Sequence, residues 1–560
     1  MNRLAVPTLK ASVIGGLLAI TSPSVFAQCE TLVVTNPFPA DLDLFGWSVA
    51  VDGNTSAYGA IGGDLGCAGG ADCNQGSVQM IEDLGNSFRA QHLSASDGQP
   101  GDQFGQHVSV DGDTLAVGAH FAHEGKVYMF TRTAGTWSEQ QILQASDGAH
   151  HFHFGHSLEL DGDTLLVGSM QDTHAGTHSG SAQIFGLSGG VWVEVAKLTA
   201  SDAAPQELFG RATDLMGGIA IVGAHLDDVN GNNAGAAYLF EQDDRGTPGD
   251  PTDDLWPEIV KLSPSAPVAE ARFGLGVAVH GDMAAVGAPR DVTNGVGQGA
   301  VYIFERDSMG WTETQRLSPA GLEDADQFGE SVVMDGQRLL VGARGDDDGG
   351  PESGAVYVFE RDAGAWKQTG KYVPSDAGPS DLTGREMSVA LDGDVAVVGS
   401  PVRSGAASQA GAATLLDLSG CLGVSACVGA PNSTGSVGTI AGRGTVLASA
   451  NDLTLDATGL PAQVFGLFIV SRTPDFVANV AGGEGNLCLG GSIGRYNAFI
   501  QSTGAAGLAT LPVNVDEIAA PNGTIQGLPG ESYYFQFWHR DVVTGTATSN
   551  LTESVRISLR

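Results

Sequence analysis

Residues 102–119 read DQFGQHVSVDGDTLAVGA, and this stretch contains the pattern that recurs along the chain. Apolar residues alternate with other residues on both sides of Asp111-Gly112. Such alternation around an Asp-Gly pair is typical of two β-strands joined by a tight hairpin. Residues 127–130 and 137–143 have the same strand-like character. One unit of the sequence therefore predicts four short strands.

The unit recurs along the chain. The glycine of the Gly-Ala-like step falls at positions 59, 118, 168, 223, 287, 342 and 399. A Phe-Gly glycine precedes it by 13 residues in six units, at positions 46, 105, 155, 210, 274 and 329. In the seventh unit, Arg385-Glu386 stands at the place of Phe-Gly. Four strands repeated seven times predict an all-β, seven-bladed β-propeller, and a solenoid is the alternative architecture.

Phe-Gly followed by Gly-Ala, or by Gly287-Ala288-Pro289, resembles the FG-GAP repeat of integrin α subunits and of many secreted bacterial proteins. The resemblance covers residues 28–420 and implies an integrin α-like N-terminal β-propeller that acts as an extracellular binding or adhesion platform. The calcium sites of that family are not carried over. The loop that holds them has shrunk here to turns such as Asp111-Gly112-Asp113, which cannot supply the six to eight oxygens that Ca²⁺ prefers.

The N-terminus has the features of a secretory signal peptide. Arg3 and Lys10 give a positive start, a short apolar run follows, and Val25-Phe26-Ala27 fits the small-residue cleavage rule. We therefore predict a signal peptide over residues 1–27, cleavage after Ala27, and secretion to the extracellular space or the cell surface. No later stretch is apolar enough to predict a membrane span.

The spacing of the units also predicts how the ring closes. In five units the outer-strand leucine precedes the next Phe-Gly phenylalanine by 11 residues, and the same count back from Phe45 reaches Val34. The seventh unit has no outer-strand segment of its own before Cys421. We therefore predict that residues 31–35 complete the last blade, which would remove an exposed sheet edge.

Beyond residue 420 the repeat pattern ends. Strand-like runs at 452–457, 464–471, 532–538 and 554–559, separated by turn residues, predict a small β-sandwich-like module over residues 421–560.

The six cysteines would meet an oxidising compartment after secretion. Their positions predict three disulfides: Cys29–Cys421 at the ring closure, Cys67–Cys73 within a loop of the first blade, and Cys427–Cys488 within the C-terminal module. A Cys421–Cys427 bridge is the alternative to the first and third pairs.

Two loops that follow a Gly-Ala step are candidate calcium sites, with calcium as a possible cofactor. Their residues are Asp228, Asn230, Asn232, Asp346, Asp347 and Asp348. The first loop has the odd-position spacing of a calcium loop but lacks the closing bidentate acid, so ordinary polar loop chemistry is the alternative. Arg344-Gly345-Asp346 also spells a tripeptide that integrins bind, although the acidic residues after it favour a plain loop.

Histidines concentrate in the second and third units, where a zinc-type site would need three of them to converge. They are His107, His120, His123, His150, His151, His153, His156, His174 and His178.

The net charge of -38 makes nucleic acid a poor partner. No His-Glu-x-x-His motif and no phosphate-binding loop occurs. The leading hypothesis is a secreted, non-catalytic binding or adhesion protein with an extracellular protein or polysaccharide ligand. The alternative is a secreted propeller enzyme, a polysaccharide lyase or hydrolase, that uses channel-facing histidines such as His153 and His156.

Overall fold

The computed structural model describes most of the chain, and its described residues form strands, turns and three short 3-10 segments without any α-helix. The 3-10 segments are Pro251–Asp253, Asn497–Phe499 and Val515–Glu517. The described ranges are 30–36, 41–63, 74–84, 87–146, 153–247, 250–293, 296–319, 321–362, 364–374, 377–405, 407–418, 439–443, 454–477, 487–490, 492–504, 507–521, 523–526, 532–543, 546–552 and 555–558.

The repeat region folds into seven four-stranded antiparallel sheets, which is consistent with a β-propeller. An N-terminal strand, β1 (Glu30–Thr35), precedes sheet 1. The strands of the sheets are, in chain order: sheet 1, β2 (Phe45–Asp52), β3 (Thr55–Ala60), β4 (Ser77–Asp83) and β5 (Phe88–Leu93); sheet 2, β6 (Val108–Asp111), β7 (Thr114–Ala119), β8 (Lys126–Thr133) and β9 (Thr136–Leu143); sheet 3, β10 (Phe154–Asp161), β11 (Thr164–Ser169), β12 (Ser181–Ser188) and β13 (Val191–Leu198); sheet 4, β14 (Thr213–Met216), β15 (Ile219–Ala224), β16 (Ala236–Glu241) and β17 (Glu258–Leu262); sheet 5, β18 (Val277–His280), β19 (Met283–Ala288), β20 (Ala300–Asp307) and β21 (Gly310–Leu317); sheet 6, β22 (Phe328–Asp335), β23 (Arg338–Ala343), β24 (Ala355–Asp362) and β25 (Ala365–Tyr372); sheet 7, β26 (Val389–Asp392), β27 (Val395–Ser400) and β28 (Ala412–Asp417), with β1 as its fourth strand.

The two recurring glycines of each unit hold neighbouring sheets together. A Cβ atom added to Gly223 would lie 2.0 Å from the carbonyl oxygen of Gly274, the Phe-Gly glycine of the next sheet. Equivalent pairs occur at every step, and only glycine fits where two backbones approach this closely. The other pairs are Gly59 with Gly105, Gly118 with Gly155, Gly168 with Gly210, Gly287 with Gly329, Gly342 with Gly384, and Gly399 with Gly46.

The phenylalanine of Phe-Gly fills the space between sheets. Phe104 is fully buried and packs edge-on against Tyr128, with 5.3 Å between the ring centroids. Phe209 and Phe273 are equally buried and meet Tyr238 and Tyr302 in the same geometry. Edge-to-face aromatic pairs are favoured by the charge distribution of the rings. The Phe-Gly step therefore supplies both the close backbone contact and the core.

The Asp-Gly hairpins do more than turn the chain. The carboxylate of Asp111 accepts a hydrogen bond from the backbone N–H of Gly162, in the next sheet, at 2.6 Å. Bonds of the same kind run from Gly112 to Asp52, from Gly217 to Asp161, from Gly393 to Asp335 and from Gly53 to Asp392. Each aspartate thus links its hairpin to a neighbouring hairpin, and the last bond joins sheet 7 to sheet 1.

The N-terminal strand lies where the spacing of the units predicts. β1 pairs antiparallel with β28, with Val34 opposite Ala413. Phe45, at the start of sheet 1, also bridges to Gly411 of sheet 7, as each Phe-Gly phenylalanine does to the preceding sheet. Sheet 7 therefore contacts sheet 1 by the same interactions that join the other sheets.

One detail of the predicted seventh unit is wrong. Thr383-Gly384, and not Arg385-Glu386, occupies the Phe-Gly position, because Thr383 bridges to Gly354 and Gly384 packs against Gly342. The fixed offset of 13 residues failed because the chain contains two additional residues between Gly384 and Ser388. Ser388 accepts the backbone hydrogen bond from Gly399 that marks the equivalent position in other sheets.

The C-terminal region forms separate small sheets. Its strands are β29 (Thr439–Arg443), β30 (Thr454–Thr458), β31 (Phe465–Ser471), β32 (Thr473–Val477), β33 (Leu487–Gly490), β34 (Gly494–Arg495), β35 (Gln501–Ser502), β36 (Ala509–Pro512), β37 (Ile518–Ala520), β38 (Gly523–Ile525), β39 (Ser532–Val543), β40 (Thr546–Leu551) and β41 (Val555–Ser558). A three-stranded sheet containing β29, β30 and β36 shares one apolar cluster, including Leu455, Leu511, Phe468 and Phe535, with the six-stranded sheet around β31 and β39.

Candidate site at the channel mouth

The first strands of all seven sheets line a central channel with a volume of about 360 Å³. Each first strand directs alternate side chains toward this channel, because successive side chains of a β-strand point to opposite faces. At the end of the channel opposite the Asp-Gly hairpins, a second cavity of about 260 Å³ lies among residues of the Phe-Gly and Gly-Ala steps. Its lining includes Trp47, Gln106, His120, His156, Arg211 and Arg385.

Repeat geometry explains why these residues meet. Gln106, His156 and Arg211 each follow a Phe-Gly glycine, and Trp47 does so in sheet 1. His120 follows the Gly-Ala step of sheet 2, and His225 holds the same place in sheet 4. Residues of sheets 1, 2, 3, 4 and 7 are thereby brought to the mouth, although neighbours in space lie about 50 residues apart in sequence.

Three histidines of sheets 2 and 3 converge there. The ring centroids of His120 and His153 are 4.8 Å apart, and those of His120 and His156 are 5.4 Å apart. His120 and His156 are buried, at 5% and 6% exposure. The Nδ1 atoms of all three are buried and find no hydrogen-bond partner among the described residues.

Burial keeps these imidazoles neutral. It lowers the pKa of His120 to about 3, with smaller contributions from His153 and Arg211. It likewise lowers the pKa of His153 to about 4, and holds the pKa of His156 well below the ordinary value. At neutral pH each ring therefore offers one N–H donor and one acceptor nitrogen.

Charged side chains complete the site. Arg211 forms an ion pair with Glu386, with 2.5 Å between Nη2 and Oε2. The guanidinium carbon of Arg385 lies 3.5 Å from the ring centroid of Trp47, in a cation–π contact. We call His120, His153, His156, Arg211, Arg385 and Glu386 the mouth cluster. Arg385 follows the glycine at the Phe-Gly position, as Arg211 does in sheet 4, and the two-residue insertion of sheet 7 adds Glu386 beside it.

Several buried polar atoms of the residues that line the cavity lack a protein partner among the described residues. They are Nε of Arg211, Nη1 of Arg385, Oε1 of Glu386 and Oε1 of Gln106. A buried polar atom without a hydrogen bond costs about 1–3 kcal/mol. Such atoms at one cavity, together with the histidine nitrogens, point to a bound ligand or ordered water.

The mouth is also locally basic. Burial, followed by the guanidinium groups of Arg290 and Arg211, lowers the pKa of Arg272. Arg344 pairs with Glu330, the residue after Phe-Gly in sheet 6, at 2.7 Å. Five of the 26 basic residues therefore lie close together at the mouth end of the channel, although the net charge of the whole chain is -38. They are Arg211, Arg272, Arg290, Arg344 and Arg385.

The second calcium candidate is the loop after the Gly-Ala step of sheet 6. Asp346 is buried and binds Lys371 Nζ at 2.5 Å and the Tyr357 hydroxyl at 2.9 Å. Asp348 binds the same lysine at 2.6 Å, and Asp347 accepts a hydrogen bond from the backbone N–H of Glu352. A lysine ammonium thus occupies the place between two of these carboxylates. Since Asp346 faces inward, the Arg-Gly-Asp tripeptide does not display its carboxylate.

The first calcium candidate is an exposed loop of sheet 4. Asp228 accepts a hydrogen bond from the backbone N–H of Asn233 at 2.7 Å, and Asn232 donates to Glu270. Asn230 is exposed. Within the described residues, no group of three or more His, Cys, Asp or Glu side chains has an arrangement suited to a metal ion. Calcium binding at either loop remains a prediction.

The buried aspartate after the Gly-Ala step is a recurring structural feature that the sequence did not reveal. Asp227 binds Tyr238 and Lys261, and Asp291 binds Tyr302 and Arg316, as Asp346 does Tyr357 and Lys371. The tyrosine comes from the third strand and the cation from the fourth. The signal was an aspartate four residues after the Gly-Ala-like glycine in sheets 3 to 6.

Tyr357→Phe is expected to lower the free energy of unfolding by about 1–2 kcal/mol, because a buried carboxylate loses one of its donors. Tyr302→Phe should have a similar effect, since Tyr302 makes the same bond to Asp291. Denaturant unfolding of both variants measures the change. Unchanged stability in both would contradict a structural role for these aspartates.

Some predicted features fall on undescribed parts of the chain. The predicted signal peptide, His150, His151, Cys29, Cys67, Cys73, Cys421 and Cys427 lie outside the described residues, as does the side chain of Cys488. The three disulfide pairings therefore stay predictions. Within the described residues, no helix is long and apolar enough to cross a membrane.

The sequence did not single out Trp47, Arg211, Arg385 or Glu386. The position after each Phe-Gly glycine could have indicated the site, because it recurs in every unit while the residue type there differs from sheet to sheet.

Comparison with known proteins identifies one family. The model of the FG-GAP repeat matches residues 88–130, 137–185, 192–240, 256–304, 311–359 and 366–415. No curated protein matches the chain. Among solved structures, a putative 6-phosphogluconolactonase from Bacteroides uniformis is similar over 59% of this chain and 86% of its own, with 14% identity and a TM-score of 0.39.

Proposed function

Because the chain belongs to the FG-GAP repeat family, we propose that it is a secreted, non-catalytic binding protein that uses an integrin α-like propeller as an extracellular interaction platform. In this proposal the seven sheets are the blades of a closed seven-bladed propeller. The region after residue 420 is a β-sandwich-like module. The signal peptide over residues 1–27 directs the chain out of the cell.

The observation that carries the binding role is the cavity of the mouth cluster. Several buried nitrogen and oxygen atoms of its lining residues have no partner within the described part of the chain, and protein interiors rarely leave such atoms unpaired. The exposed aromatic ring of Phe121 forms part of its lining. Polar atoms and an exposed ring that converge on one concavity are typical of a ligand site.

The alternative, a polysaccharide lyase or hydrolase, draws on the same histidines. An efficient general base has a pKa near the working pH. Burial instead lowers the pKa of His153 to about 4 and that of His120 to about 3. Glu386 is engaged by Arg211. These conditions favour binding over catalysis at neutral pH.

The test is a binding screen of the purified, signal-free protein against immobilised polysaccharides and extracellular matrix proteins, with product formation followed on the same polysaccharides. We expect retention on at least one ligand without turnover. The double variant Arg211→Gln/Glu386→Gln replaces the ion pair by two amides and should weaken retention. Arg306→Gln, whose partners Glu241 and Asp282 lie away from the mouth, is the control. No retention on any ligand, or turnover that disappears in His156→Ala, would overturn the proposal.

A further inference from the structure

The side chains that line the mouth cavity carry both hydrogen-bond donors and acceptors. Arg211 Nε and Arg385 Nη1 can only donate, whereas the free oxygens of Glu386 and Gln106 can only accept. The neutral imidazoles of His120 and His156 can do either. A metal cation would leave the arginine donors unsatisfied, and a simple anion would leave the acceptor oxygens unsatisfied. A ligand with several hydroxyl groups and one anionic group satisfies both sets.

The charges of the lining set the sign of that group. Arg211 and Arg385 contribute two positive charges and Glu386 contributes one negative charge, so the lining retains one positive charge. Charge-assisted bonds between a guanidinium and a carboxylate are the strongest polar contacts available to such a site. Because the rest of the chain is strongly acidic, this positive mouth is also the place where an anionic ligand meets least repulsion.

An apolar surface lies beside the polar atoms. Phe121 is 47% exposed, lines the cavity, and packs on the rings of His120 and His153 with centroid distances of 4.0 and 4.9 Å. A half-exposed ring next to hydrogen-bonding groups suits a ligand that has one apolar face and a polar edge. A pyranose ring has both.

The size of the cavity limits the ligand to one unit. Its volume of about 260 Å³ lies just below the range of roughly 300–1,000 Å³ that is usual for small-molecule sites. One sugar ring with a carboxylate suits this space better than a longer segment of a chain.

We propose that the mouth cluster binds one acidic monosaccharide unit, either free or at the end of a polysaccharide. Its carboxylate lies against Arg211 and Arg385, its hydroxyl groups meet His120, His156, Gln106 and Glu386, and its apolar face lies against Phe121. This inference rests on the proposed binding function and names the ligand class of the same site.

The test is calorimetric titration of the purified protein with four probes at one salt concentration: D-glucuronate, D-glucose, acetate and tetraglutamate. D-glucuronate is expected to bind with a Kd of about 1 mM or tighter, and at least about tenfold more tightly than the other three probes. Equal binding of glucose would remove the role of the carboxylate, and equal binding of acetate would reduce the site to a simple anion site. Tighter binding of tetraglutamate would assign the site to acidic peptides. Each of these results overturns the inference.

Two variants locate the binding. Arg211→Gln/Glu386→Gln is expected to weaken D-glucuronate binding at least about tenfold, and Arg306→Gln should leave it unchanged. Should the double variant fail to fold, Phe121→Ala at the exposed ring is expected to weaken binding at least about threefold. Unchanged affinity in the folded double variant, or in Phe121→Ala, overturns the assignment to this cavity. If D-glucuronate does not bind but the protein is retained on a matrix ligand regardless of the double variant, the binding function stands and only this inference fails.

Discussion

Val34→Asp is expected to lower the free energy of unfolding by about 3–5 kcal/mol. Val34 is 6% exposed and packs in β1 against Phe45, Tyr58 and Ala413, where the first and last sheets meet. Removing its buried apolar surface loses about 1.5–3 kcal/mol, and a carboxylate without a partner adds a desolvation penalty. The effect is large because β1 covers the edge of sheet 7 and joins the two ends of the repeat region.

Val33→Asp is the matched control, since neighbouring side chains of a strand point to opposite faces. Val33 is 40% exposed, so the same substitution should change stability by less than about 1 kcal/mol. Denaturant midpoints of the two variants and the parent measure the difference. Equal losses in both variants would mean that β1 does not depend on its buried face. No loss in Val34→Asp would mean that β1 contributes nothing to closing the ring.

The strands could be predicted from the sequence because their signals are local. Alternating apolar residues, an Asp-Gly turn and a fixed spacing lie within one unit, and the four-stranded sheets follow from them. The place of β1 was also accessible, because it depends on a count of residues between strands. The 13-residue offset between the two recurring glycines failed for Thr383-Gly384, because two inserted residues lengthen it without changing the strands.

The mouth cluster could not be predicted because its contacts depend on the angle between sheets. His156 and Arg385 are separated by more than 200 positions, and only the ring brings both to one cavity. The concentration of histidines in the second and third units pointed to convergence, and the structure brings three of them together. Nothing in the sequence indicated that arginines from the fourth and seventh sheets would accompany them. The roles of the hairpin aspartates could not be predicted for the same reason. An aspartate that only forms a turn has the same local sequence as one that also accepts a hydrogen bond from the next sheet.

Gly223→Ala is expected to lower the free energy of unfolding by about 3 kcal/mol or more. The new methyl group would lie 2.0 Å from the carbonyl oxygen and 3.0 Å from the carbonyl carbon of Gly274. Overpacking against side chains costs about 1–3 kcal/mol, since side chains can rotate away. Here every obstructing atom belongs to the backbone of the next sheet, so two sheets must separate. That separation would also disturb Phe273, which is fully buried beside this contact.

Gly405→Ala is the control for the general effect of replacing glycine. Gly405 is exposed, and a Cβ atom there would have no atom within 4 Å. Because alanine restricts the unfolded chain, this variant should be unchanged or more stable by up to about 1 kcal/mol. The same gain applies to Gly223→Ala, so the difference between the two midpoints isolates the collision between sheets. If both variants unfold at the parent's midpoint, the glycine contacts do not hold the sheets together, and the recurrence of the two glycines needs another physical explanation.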